Sequence, residues 1–114
     1  MDLDELSAAI RQASEDPVAT KLSELLVTWK DNRTNVNELE NTVERYIGNT
    51  WIASESEHKT IYGLWSRFRD GAIHGIGGMT MSERLCHFSL FHRWECSKDD
   101  EDQKTIYAKL LANP

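Results

Sequence analysis

The four histidines and two cysteines of this chain have the widest chemical repertoire in it, as acids, bases, nucleophiles or metal ligands. His92 and Cys96 stand four apart, a spacing that puts both on one face of a helix and within reach of one ion. Cys86 and Cys96 are ten residues apart, and at 1.5 Å per residue a continuous helix separates them by about 15 Å. That is too far for a shared tetrahedral site and beyond the roughly 7 Å Cα separation that a disulfide tolerates. No C-x-x-C pair is present to suggest structural zinc. These spacings predict no metal ion and two free thiols, one buried and one near a helix end. His58 follows Glu55 and Glu57, and His74 lies in a glycine-rich stretch. Even so, no Ser or Cys nucleophile stands beside a base in a recognisable motif. The expectation is a chain with no catalytic residues and no cofactor.

The glycine-rich stretch, residues 71–78, holds four of the six glycines and runs into Thr80 at a helix start. Backbone amides there could face a phosphate. The lysine of a P-loop does not follow, however, and the strand of a dinucleotide fold does not precede. The stretch reads as an interhelical turn.

Helical spacing supplies the elements that must position these groups. Leu3, Leu6, Ile10 and Ala13 form one stripe of a first helix. Asp16 caps a second that begins at Pro17 and carries Val18, Leu22, Leu25, Leu26 and Trp29. Asn35 and Glu38 cap a third with Val36, Leu39, Val43, Tyr46 and Ile47, and Gly48 is expected to end it. Ser54 and Glu57 form a capping box for a fourth, striped by Ile61, Tyr62, Trp65 and Phe68. Thr80 and Glu83 form another for a fifth helix running unbroken to about Trp94, central and largely buried. A sixth starts near Asp100 with Ile106, Tyr107, Leu110 and Leu111. No segment shows sustained period-two alternation, so strands are not expected. The reading is all-α: a single domain, residues 1–114, built as a bundle of about six helices. Its expected core contains Leu22, Leu25, Trp29, Val43, Ile61, Trp65, Leu85, Phe88 and Leu110. Trp29, Trp65 and Trp94 fall on the helical stripes. Trp51, in a linker, is the better candidate for a partly exposed anchor of a partner.

Composition narrows the function classes. Nineteen Asp and Glu against thirteen Lys and Arg leave a net charge of −6. A surface for nucleic acid needs clustered bases, and the densest basic feature here is Arg67-Phe68-Arg69, so direct nucleic-acid binding is not expected. Apolar runs are far shorter than the ~20 residues that span a bilayer. The acidic start, Met1-Asp2-Leu3-Asp4-Glu5, is unlike a signal peptide, so the chain reads as cytoplasmic with no membrane contact. The acids gather in two places. Asp2, Asp4, Glu5, Glu15 and Asp16 face one arginine within residues 1–20, and Asp99, Asp100, Glu101 and Asp102 are consecutive.

The segment from Met79 through Ser82-Glu83-Arg84-Leu85, continued by Phe88, Leu90 and Phe91, resembles a pattern of small bacterial proteins. In these a helix opens with Thr or Ser and continues through Glu-Arg-Leu into aromatic residues. Ser82 stands where that pattern commonly has Asn. The resemblance covers residues 79–112. More loosely, a short, acidic, helical chain without catalytic motifs is similar to bacterial immunity proteins, which neutralise secreted toxins. What the resemblance implies is a non-catalytic inhibitor that masks a basic protein partner, such as a nuclease toxin, with acidic surface.

On this reading the partner-binding residues are Asp99, Asp100, Glu101, Asp102, Asp2, Asp4, Glu5, Glu15, Asp16 and Trp51. Two other readings stay open. One is an inhibitor of phage type whose acids imitate nucleic-acid phosphates, as in anti-CRISPR proteins. The other is a small helical enzyme or metal protein using His58, His74, His87, His92 and the glycine-rich stretch.

Overall fold

The structure, a computed structural model, describes residues 1–50 and 52–112. Seven α-helices follow one another among them: α1 Leu3–Ala13, α2 Pro17–Trp29, α3 Val36–Asn49, α4 Glu55–Phe68, α5 Met81–His87, α6 Phe91–Glu95 and α7 Asp100–Lys109. A π-helical turn, Arg69–Ile73, continues α4, and a 3-10 turn, Ile76–Gly78, leads towards α5. No strand occurs among the described residues, and none of these helices is long and apolar enough to cross a membrane. The all-α expectation holds.

Side-chain caps place the helix starts. Asp16 accepts the Val18 amide with Pro17 at the first turn, and the Asn35–Glu38 and Thr80–Glu83 boxes form in both directions. Ser54 supplies only the first half of its box, accepting the Glu57 amide. A fourth box, Asp2 with Glu5, opens α1.

Two boundaries differ from the expected ones. Gly48 does not end α3. The helix runs through Asn49 to an extended Thr50, whose hydroxyl donates to the Tyr46 carbonyl and closes the last turn. The unbroken fifth helix is two short ones, so seven helices replace the expected six. At the break Ser89 adopts φ 56°, with its amide on Cys86 O and the Leu90 amide on Leu85 O. This 6→1 and 5→2 pair is a Schellman closure with serine in the left-handed position usually given to glycine. The physical reason is packing. Leu85, Phe88 and Leu90 are all buried, whereas in a continuous helix Leu90 would point about 140° away from Leu85. The chain breaks so that all three enter the core. Far from being central and buried, α6 exposes Phe91. The C-terminus of α7 closes the same way at Leu111, φ 56°, with the Ala112 amide on Tyr107 O. Arg84 donates to the carbonyls of Leu110 and Leu111, which ties α5 to that end.

One cluster of buried side chains joins these elements. A relay of rings crosses it: Trp29 to Phe88 at 5.6 Å, Phe88 to Phe68 at 5.5 Å edge-on, and Phe68 to Trp65 at 6.2 Å. Eight of the nine expected core residues are buried, and Leu25 is half-buried at the edge of the cluster. The buried Ser7 and Ser23 let α1 and α2 approach closely and share a 2.6 Å hydrogen bond. Ile52 docks the linker into the core.

Residues 71–78 form helical turns rather than an open loop. The His74 amide donates to Arg69 O, five residues back, and this wider π register turns both Ala72 and Ile73 inward. A Cβ on Gly75 would lie 2.6 Å from Gly71 O, so the close approach of the two backbones requires glycine there.

Candidate functional site

The four consecutive acids open α7. Asp99 caps the helix by accepting the Asp102 amide at 2.9 Å, and Asp102 accepts the Lys98 amide at 3.3 Å. Asp100 and Glu101 lie in the first turn, both exposed. Among the described residues no Lys, Arg or His side chain forms an ion pair with any of the four. The opposite end of the helix is held firmly. Lys109, 4% exposed, sends its ammonium to Asn32 O at 2.8 Å, Asn32 Oδ1 at 3.0 Å and Thr34 O at 2.8 Å. Ile106 and Leu110 are buried beside it, and Trp94 of α6 braces Tyr107 edge-on at 5.2 Å. The acidic end therefore projects from an element anchored to the loop between α2 and α3.

Arg93 strengthens the same junction. Its guanidinium grips Asp31 through two bonds, 2.6 and 2.9 Å, and holds the Asp31 carboxyl below the usual carboxylate range. Together Lys109, Arg93, Asp31, Asp102 and Cys96 line an open groove of about 340 Å³.

The N-terminal acids are differently employed. Asp2 and Glu5 form the α1 capping box, and Asp16 caps α2. Asp4 pairs at 2.6 Å with Lys30, whose side chain is 9% exposed. Glu15 is exposed. These five acids lie at the starts of two helices and do not join the 99–102 group in one cluster of close contacts. Trp51 lies outside the described residues.

The histidines do not converge. His58 lines a groove with Glu44, Thr50 and Tyr62, and His87 lies beside Met1 and Phe68. His74 Nε2 meets Glu40 at 2.7 Å while Nδ1 stands 3.5 Å from Asp70. His92 Nε2 stands 3.7 Å from Cys96 Sγ. No group of three or more His, Cys, Asp or Glu that could hold a metal ion occurs among the described residues. Both cysteines are exposed, which corrects the expectation that one is buried. Cys86 lies on the outer face of α5, opposite the buried Leu85 and Phe88.

Two polar constellations carried no signal in the spacing. Lys109 is one, a lysine on a helix otherwise read by its apolar stripe. The other joins α3 to the π-helical turn: Glu44 Oε1 accepts from Trp65 Nε1 at 3.0 Å and from Arg69, which also pairs with Asp70. Glu44 lies more than twenty positions before Trp65 and Arg69, so only the packing of α3 against the end of α4 and the π-helical turn brings it to them. A scan of protein-family models, a search of curated proteins and a search of solved structures each find nothing that matches this chain.

Proposed function

We propose that the chain is a non-catalytic binding protein that neutralises a basic protein partner, in the manner of an immunity protein against a toxin domain such as a nuclease. The observation that carries this reading is the start of α7. Two carboxylates, Asp100 and Glu101, are exposed and unpaired there, on a helix whose other end is clamped by Lys109. A rigid, unneutralised charge group in a chain of net charge −6 raises the encounter rate with a basic surface. Acids at a helix start also oppose its dipole, worth about 0.3–1 kcal/mol each. That accounts for Asp99 and Asp102, which bond the backbone, better than for Asp100 and Glu101.

The test is binding kinetics against the product of the neighbouring reading frame at two salt concentrations. Asp100→Lys with Glu101→Lys leaves both capping bonds in place. The double variant is expected to associate more slowly and with weaker salt dependence, while its stability changes by no more than about 1 kcal/mol per site. An unchanged association rate in a folded variant would show that this acidic group does not face the partner.

A further inference from the structure

We propose that His92 and Cys96 form half of a zinc-type metal site that a second copy of this chain completes. The Cys96 amide donates to His92 O at 3.0 Å, closing the last turn of α6, so both side chains leave the same face. Their ligand atoms, Sγ and Nε2, stand 3.7 Å apart, and both residues are exposed. In a tetrahedral zinc site the bonds are about 2.3 Å to sulfur and about 2.0 Å to nitrogen, which places two such ligands about 3.5 Å apart. The pair already has the bite of that ion.

One chain offers only these two donors, because no group of three His, Cys, Asp or Glu forms among the described residues. A structural zinc closes its shell with four. A two-fold axis through the ion supplies the missing His and Cys from the second copy, giving two thiolates and two imidazoles. A soft thiolate beside an imidazole selects zinc or cobalt(II) over magnesium or calcium. On binding, each Cys96 thiol releases its proton to solvent as its sulfur bonds the ion. His92 coordinates through the Nε2 lone pair, with its hydrogen on Nδ1. The two thiolates cancel the charge of the ion, and no oxidant or reductant takes part.

The pair stands on open surface that a second copy can reach, and the ion rather than apolar contact holds the two copies: Phe91, 41% exposed, leaves α6 about 100° round the axis from His92. The net charge of −6 on each copy opposes the pairing. Added salt, which screens exposed charges beyond ~8 Å at physiological ionic strength, therefore strengthens it. That sign is opposite to the one expected for association through the acids of α7.

The experiment titrates the full chain with Zn²⁺ while light scattering follows its mass, and with Co²⁺ while visible absorption follows coordination. The expected result is a doubling of mass that saturates at one ion per two chains, with the absorption of tetrahedral, thiolate-bound cobalt. His92→Ala and Cys96→Ser, both exposed positions whose folding circular dichroism checks, should abolish it, and Cys86→Ser should leave it intact. The Asp100→Lys, Glu101→Lys variant should still pair, so failure here and failure of the inhibitor reading are separable. An ion bound by a lone chain, a dimer indifferent to zinc, no binding at all, or a doubling that survives both ligand substitutions would overturn the proposal.

Discussion

Lys109 Nζ stands 4.0 Å above the ring centroid of Trp29, and both side chains are buried. The ammonium is held from the far side by the carbonyls of Asn32 and Thr34, so the cation lies between an aromatic face and a set of backbone dipoles. Trp29 is the last residue of α2, and its own indole donates to Asn35 O at 3.3 Å. One lysine from the C-terminal helix thus closes the connection between the second and third helices.

Lys109→Met keeps much of the volume but leaves the two carbonyls without their donor. The expected loss in unfolding free energy is about 1–3 kcal/mol at neutral pH, read by urea denaturation. The pH dependence has a definite sign. Burial pushes the Lys109 ammonium down to about 8 from its ordinary 10.5. Between those values the unfolded chain holds the proton and the folded chain does not. The contribution of this group to stability therefore rises as pH climbs from 8 to 10.5, and is lost as pH falls through 8. The wild type should gain on the Met variant across that window. A constant difference between the two would contradict the assignment.

Trp65 combines full burial with one polar bond, and two substitutions separate them. Trp65→Ala empties the middle of the core and is expected to cost about 3–5 kcal/mol. Trp65→Phe keeps a ring against Phe68 but deletes the donor to Glu44, and should cost about 1–2 kcal/mol. Thermal melts of both variants check the order. A melting temperature unchanged by the alanine substitution would remove Trp65 from the centre of the fold.

Gly75 and Gly77 make a matched pair in the turn that follows α4. A methyl at Gly75 meets the Gly71 carbonyl at 2.6 Å, while a methyl at Gly77 meets nothing within 4 Å. Gly75→Ala is expected to destabilise by about 1–3 kcal/mol, because backbone must shift to admit it. Gly77→Ala should be neutral or slightly stabilising, through the reduced freedom of the unfolded chain. Equal effects on denaturation would mean that the two backbones do not approach in this way.

Where the inhibitor reading was legible, it was legible as charge alone. The two acidic groups are plain in the sequence, yet their standing differs for reasons that contacts decide. Asp4 is neutralised by Lys30, twenty-six residues away, while Asp100 and Glu101 keep their charge unpaired. The His92–Cys96 spacing was visible as well, but not that the helix carrying it is short and exposed.

The sequence by itself determined the all-α class, the starts of the helices other than α6 and most of the core. Those features rest on short-range physics: a capping side chain reaches an amide three residues on, and apolar residues recur with the period of one helix. Tertiary structure alone decided the break at Ser89, the π-helical turn at Arg69–Ile73 and the burial of Lys109. At each of these a local preference yields to distant partners. Leu90 enters the core at the expense of a left-handed serine, and Ala72 and Ile73 turn inward together at the expense of α-helical register. Lys109 gives up water for carbonyls that lie seventy-five and seventy-seven residues earlier in the chain. No periodicity within a helix encodes such a partner, because the partner exists only once the helices have packed.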